Sequence, residues 1–321
     1  MISVCMGTYN GEKYIEEQLE SILGQNLPPD EVILCDDCSE DGTEDVIRQF
    51  IRKHGLEGKW KLIINGKNKG YPGNFYYAMS LCRGDLVFLA DQDDIWNVRK
   101  LERMTDVMEQ YPGAKAVCCK FGLVDAEGAG IHSIMAPART KGTRHVRSVS
   151  IHDVFYKCEW PGMVLAYRRE WFTPLWEKLN DTTPVRLENG GIGIPHDFLV
   201  CALAAEENGF LQLDEELACH RRHDNNAGME EHRISRLLNK DRKLKEIDDY
   251  IHILDGFAGE NVLRTAEGKA ALDRKTYIMK QRREALASGR TRKVIKSAWE
   301  NRKSVRLMTV VCDIAISLKD R

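Results

Sequence analysis

The 321-residue chain is 43% hydrophobic and 30% charged, with no Gly/Ser-rich or Pro-rich tract; this suits one large domain with an appendage, or two domains of ordinary size, and excludes an intrinsically disordered chain. Its net charge of −2 excludes a polyanion-binding surface as the dominant feature, so no nucleic-acid partner is expected.

Short apolar runs alternate with amphipathic segments through the N-terminal half, the pattern of βα units on a mostly parallel sheet. Ile2 to Met6 reads as a first strand, and Gly7-Thr8-Tyr9-Asn10-Gly11 turns into a helix with Tyr14, Ile15, Leu19, Ile22 and Leu23 on one face. Glu31 to Cys35 is a second strand ending in DDCSEDGT, before a helix marked by Val46, Ile47, Phe50 and Ile51. Lys61 to Ile64 gives a third strand, Phe75 to Cys82 a helix and Leu86 to Ala90 a fourth strand. Leu101, Met104, Val107, Met108 and Tyr111 mark the helix after it.

Three strands thus end in polar loops, TYNG, DDCSEDGT and ADQDD, which a parallel sheet brings to the edge where open α/β folds bind ligands. In the last loop Asp91, Asp93 and Asp94 repel one another and stay together only where solvent or a cation offsets their charge. A hard ion such as Mg²⁺ or Mn²⁺ takes one or two carboxylates and completes its shell with water and phosphate oxygens. The plainer alternative makes Asp93 or Asp94 the cap of a helix starting near Asn97, with Asn10, Asp41 or Thr43 capping others.

Further on, Val164 to Tyr167 reads as a strand, Pro195-His196-Asp197 opens a helix, and short strands are expected at Phe210 to Leu213 and Leu217 to Arg222. Between the N-terminal half and these segments, Gly128 to Ser148 reads as a loop in which Arg139, Lys141, Arg144 or Arg147 would meet a phosphate or simply be solvated. From about Glu230 the period becomes helical. Residues 264–306 carry fourteen Lys and Arg against four Asp and Glu, a basic run that suits a solvated helical face or an anionic membrane surface. The apolar positions Val305, Met308, Val311, Ile314, Ala315 and Leu318 are open to the domain itself, a second subunit or a membrane, with burial in the protein as the default.

Met1 leads straight into ISVCM without a basic leader, and no apolar run approaches the ~20 residues that span a bilayer. The ten cysteines are therefore expected as reduced thiols of a cytoplasmic protein. Cys35-x-x-Cys38 lacks the second ligand pair of a structural zinc site and reads as buried strand cysteine.

The segments TYNGEKYIEEQLESI, DDCSEDGT, NKGYPGNF and LADQDDIW, in this order and spacing, resemble the family-2 inverting glycosyltransferases over residues 1–226. DQDDIW resembles especially the bacterial branch that includes rhamnosyltransferases of surface polysaccharide assembly. The resemblance implies the α/β type A nucleotide-sugar transferase fold, a Rossmann-like and mostly parallel sheet, with residues 227–321 as a helical appendage. It implies a nucleoside diphosphate sugar donor, dTDP-rhamnose or a UDP-sugar, a polysaccharide or lipid-linked acceptor, and Mn²⁺ or Mg²⁺. By the same resemblance Thr8, Tyr9, Asn10, Glu12 and Asp37 serve the nucleotide, and Lys69, Gly70 and Asn74 the phosphates or ribose. Asp91 lies at the ribose or metal, Gln92 serves donor binding, Asp93 is the direct metal ligand, and Asp94 supports the loop. Asp197 stands where relatives carry the base in Glu-Asp or His-Asp; the alternative is a carboxylate favoured by the helix dipole. In CHRRHDNN, His223 matches a histidine that approaches the metal or diphosphate, with His220 competing.

Two other enzymes fit less well. A haloacid-dehalogenase-like phosphatase needs a carboxylate two positions after its nucleophile, where Asp36 has Cys38 and Asp37 has Ser39. A nucleotidyltransferase wants a Gly-rich basic phosphate loop that TYNGEKY does not offer. The rival from outside catalysis is a nucleotide-sugar-binding scaffold with the same fold.

Overall fold

The computed structural model describes residues 1–131, 145–157, 160–182, 193–223, 238–259, 262–302 and 304–319. Met1–Ser150 with Glu159–Arg222 forms one compact unit, and Ile151–Cys158 with His223–Arg321 a second.

In the first unit, β1 (Ile2–Thr8), β2 (Glu31–Asp36) and β4 (Leu86–Ala90) are buried along almost their whole length, as expected of parallel strands covered on both faces. With β3 (Trp60–Ile64) they run parallel in the order β3-β2-β1-β4. The register sets Thr8 beside Asp36 and Met6 beside Ala90. The loops that follow these residues therefore leave the same edge side by side.

The connecting helices α1 (Ile15–Leu23), α2 (Thr43–Lys53) and α3 (Gly70–Leu81) turn their apolar residues to the sheet. Helix α3 begins five residues earlier than its apolar period suggests. Gly70 enters it at φ +74°, and Pro72 falls in the first turn, where a missing N–H costs no hydrogen bond.

After β4 the chain forms the two-residue strand β5 (Ile95–Trp96) before α4 (Lys100–Gln110), whose N-cap is Arg99. Neither Asp93 nor Asp94 caps that helix. The sheet continues through β8 (Leu165–Arg168), β6 (Ala116–Val124) and β9 (Phe210–Arg221) to β5, with β7 (Val146–Ser148) also on β9. A 3-10 turn, Gly162–Val164, leads into β8, and helices α6 (Arg169–Thr182) and α7 (His196–Glu206) follow.

Strand β9 is continuous where two short strands are expected, because ion pairs carry its acidic middle. Lys120 meets Asp214 at 3.0 Å, Arg103 holds Glu215 through two nitrogens, and a register shift near Lys120 absorbs the irregularity.

The second unit contains α5 (Ile151–Lys157), α8 (Lys240–Gly259), α9 (Ala266–Ala287), α10 (Thr291–Glu300) and α11 (Leu307–Lys319). Thr265 caps α9 by accepting from Gly268 N, and Arg282 on α9 grips Asp313 on α11 through two bonds of 2.6 and 2.8 Å. The default of burial fails on α11: Met308, Val311 and Leu318 are each about half exposed. Among the described residues no helix is long and apolar enough to cross a membrane.

Candidate active site

The first two loops are stitched together by their own polar side chains. Asn10, at φ +48°, donates from its N–H to Ser39 Oγ, and its Oδ1 accepts from Glu40 N at 2.8 Å. Gly11 N donates to Thr43 Oγ1, Glu12 N to Asp41 Oδ2, and Gly42 N to Glu12 Oε2. The third loop joins through Gln92, whose amide accepts from Tyr9 N at 2.9 Å and donates to Tyr9 O at 3.0 Å. A Cβ at Gly11 would stand 2.3 Å from Gln92 Oε1, so this closure requires glycine there. Tyr9 is left with its ring about half exposed, and Thr8 with a buried hydroxyl that finds no partner among the described residues.

Asp37, buried at the end of β2, organises the segment before α3. Its Oδ1 accepts from Asn65 Nδ2 and Lys69 N, and its Oδ2 from Gly70 N, leaving room for one further donor among a carboxylate's four acceptor positions. Asn74 stands behind this bracket, buried, donating to Cys35 O and accepting from Asn65. Its side chain is thus hydrogen-bonded through both its amide oxygen and its amide nitrogen. The Lys69 ammonium lies over the Tyr77 ring at 4.7 Å.

The acidic loop is held from below. Asp94 is fully buried, and its Oδ1 accepts from Arg221 N at 3.0 Å while Oδ2 finds no partner among the described residues. Burial, then the charges of Asp91 and Asp93, push its carboxyl well above the ordinary aspartate value, with the Arg221 N–H and Lys100 acting in the opposite direction. Burial, then Asp93 and Asp197, likewise push Asp91 up to about 7, with Lys100 acting in the opposite direction.

Two cations answer these groups. Arg221, buried at the end of β9, donates to Asp93 O and to the carbonyls of Asp125 and Ala126, and pairs with Glu17. Lys100, fully buried on the first turn of α4, stacks 3.4 Å from the Trp96 ring centroid and donates to Met163 O; burial lowers its pKa to about 8.

Asp197 arrives from the first turn of α7, a hundred residues after the acidic loop in sequence, yet its charge acts on Asp91. Burial raises its pKa to about 6, against the opposing pull of backbone N–H groups of Phe198, Asp197 itself and Gly162. Gly162 adjoins Met163, so the peptide segment that Lys100 holds is also the one that steadies Asp197. His196 beside it is stacked on Phe75 at 4.0 Å, and burial depresses its pKa to about 3, keeping it neutral. A Cβ on Gly162 would meet His196 Nε2 at 2.8 Å. Tyr71, half exposed, packs on Phe75 and His196 and lies within electrostatic reach of Asp197 and Asp91.

Sequence reasoning missed Lys100, Tyr71 and Arg221. Arg221 had a visible signal, since it lies in CHRRHDNN two residues before His223. His220 lies edge-on against Phe121, on the face of β9 opposite Arg221 by strand alternation. His223 follows β9 by two residues and groups with the second unit. Arg147 donates to Gln212, whereas Arg139, Lys141, Arg144, Cys158, Glu159 and residues 224–226 lie outside the described residues. Cys35 is buried with its thiol pushed up to about 12, chiefly by burial, and Cys38 donates to Asn65 O.

Among the described residues no three His, Cys, Asp or Glu side chains converge as a ready metal cage. The oxygen donors of Asp91 and Asp93, with charges close enough to raise Asp91, fit a hard divalent ion that takes few protein ligands.

Residues 3–160 match the model of the family "Glycosyl transferase family 2". The glucosyltransferase WfgD of Escherichia coli, acting from UDP-Glc on GlcNAc-diphosphoundecaprenol, is 32% identical over 108 residues, 34% of this chain and 41% of that protein. The dTDP-rhamnosyl transferase RfbG of Shigella flexneri is 25% identical over 231 residues, 69% of this chain and 72% of its own. The chain spans only 39% and 42% of the length of two further curated relatives. The structure of Staphylococcus aureus TarS 1-349 with UDP-GlcNAc superposes with a TM-score of 0.54 at 18% identity, covering 99% of this chain and 90% of that one. At that identity the likeness establishes the fold.

Proposed function

Given that the chain carries a glycosyl transferase family 2 domain, we propose that it is a metal-dependent inverting glycosyltransferase that moves a sugar from a nucleoside diphosphate to a saccharide acceptor. The observation that carries this reading is the meeting of Asp197 with Asp91 at the rim where the nucleotide-facing loops end. The donor nucleotide lies against Thr8, the exposed face of Tyr9 and the free acceptor position of Asp37, with Lys69 toward its phosphates. Asp91 and Asp93 would hold Mn²⁺ or Mg²⁺. When bound, the ion neutralises charge on the leaving diphosphate.

Asp197 accepts the proton of the acceptor hydroxyl as its oxygen bonds to the anomeric carbon. The bond from that carbon to the diphosphate breaks on the opposite face. With a pKa near 6, Asp197 is mostly ionised at neutral pH yet basic enough to take a proton. RfbG and WfgD support two donor classes, dTDP-rhamnose and a UDP-sugar. WfgD also supports a lipid-linked acceptor, and such an acceptor would be met at the inner face of the cell membrane.

Calorimetry with dTDP, UDP and GDP, each with and without Mn²⁺ or Mg²⁺, tests the donor site. Metal-dependent binding of one pyrimidine diphosphate is expected, and binding of none in any metal would overturn the reading. Asp93→Ala should remove the metal dependence of that binding.

A further inference from the structure

We infer that the outer face of α10 and α11 docks on an anionic lipid bilayer. Leu307, Val311, Ile314 and Leu318 follow one another at spacings of four, three and four residues, one stripe along α11. Leu307 is 79% exposed and Val311 51%, whereas Asp313, Ile316 and Ser317 on the opposite side are buried against the rest of the unit. Helix α10 repeats the arrangement with Ile295 at 50% and Trp299 at 69% exposed, while Thr291 and Val294 face inward. Apolar side chains this exposed and this aligned mark a contact surface rather than scattered surface residues.

Charge identifies the occupant. Between residues 291 and 319 the exposed charged side chains described are Arg292, Lys293, Lys296, Arg302, Arg306 and Lys319 against a single carboxylate, Glu300. Asp313 adds no outward charge, being buried in its pair with Arg282. A protein partner of ordinary composition would not ask for six cations around an apolar stripe, whereas acidic headgroups over acyl chains present both matching chemistries. Trp299, with the Arg302 guanidinium over its ring at 4.8 Å, suits the boundary between them. Long basic side chains lying beside apolar residues can reach the headgroups while their stems stay in the apolar layer.

Such docking would bring the chain to the surface where a lipid-linked acceptor lies, but vesicle binding needs neither donor nor acceptor, so its failure is separable from failure of transfer. The test is co-sedimentation of the full chain with vesicles of phosphatidylcholine, with and without phosphatidylglycerol. About tenfold more binding to the anionic vesicles is expected, weakened by salt. Arg292→Glu with Lys296→Glu should abolish the preference, and Val311→Ser with Leu318→Ser should weaken binding to both. These positions are exposed, and unchanged melting temperatures would establish that the variants fold. Equal binding to both vesicles, or binding untouched by either pair, overturns the inference. So does a dimer in sedimentation equilibrium that Val311→Ser dissolves while vesicles are ignored, which assigns the face to a second copy.

Discussion

Asp197→Asn separates the chemical role of this carboxylate from its structural cost. Burial lifts the group from 3.8 to about 6, a rise of about two units at ~1.4 kcal/mol each, so holding it ionised costs the fold about 3 kcal/mol. Because the folded pKa is the higher one, the folded state binds the proton more readily. That advantage is complete below about pH 4, is lost as pH rises through 6, and the full cost remains above it. Asparagine keeps an oxygen to accept from Phe198 N and Gly162 N while losing the charge. In urea denaturation the variant should match the parent near pH 4 and be more stable by up to about 3 kcal/mol at pH 8. Transfer should fall by about 10²–10⁴-fold with nucleotide binding retained, and in the parent kcat/KM should drop about tenfold per unit below pH 6. A variant no more stable than the parent at pH 8 would refute the burial argument, and undiminished transfer would sink Asp197 as the base.

Replacing Lys100 by methionine leaves Asp91 and the loop of Asp94 without their buried counter-charge, so stability at pH 7 should fall by about 3–5 kcal/mol in denaturant titration. Gln92→Ala cuts two hydrogen bonds to Tyr9 and frees the first loop from the third; at about 0.5–1.5 kcal/mol per bond, calorimetry should show pyrimidine nucleotide binding weakened several-fold or more. Gly162→Ala would press on His196 from 2.8 Å and displace the start of α7, so transfer should fall while nucleotide binding stays near the parent value. Tyr71→Ala should raise KM for the sugar donor without changing affinity for the free nucleoside diphosphate, since Tyr71 lies toward Asp91 and Asp197 rather than the first two loops.

The parallel core was legible because its strands are buried on both faces, and such strands leave uninterrupted apolar runs in a sequence: Val4 to Met6, Val32 to Cys35 and Leu86 to Ala90 each announce themselves. Their shared edge follows from topology, so the loops of Tyr9, Asp37 and Asp93 were bound to meet. What escaped the sequence is everything that depends on which long-range partner a polar residue finds. The acidic middle of β9 interrupts the apolar pattern, and only Arg103 and Lys120 on other elements allow the strand to continue. Pro72 looks like a helix breaker until it is seen in a first turn. Lys100 reads as a solvated charge at the start of an amphipathic helix, yet it is fully buried between Trp96 and Met163 O, within electrostatic reach of the Asp91 and Asp94 carboxylates. Its contact with Met163 joins the loop carrying Asp93 to the turn carrying Gly162, and Gly162 in turn steadies Asp197. The two halves of the proposed chemistry are therefore mechanically linked through a residue that touches neither substrate. If so, Lys100→Met should shift the pH at which transfer falls as well as lower stability, a shift that mere loss of packing would not produce.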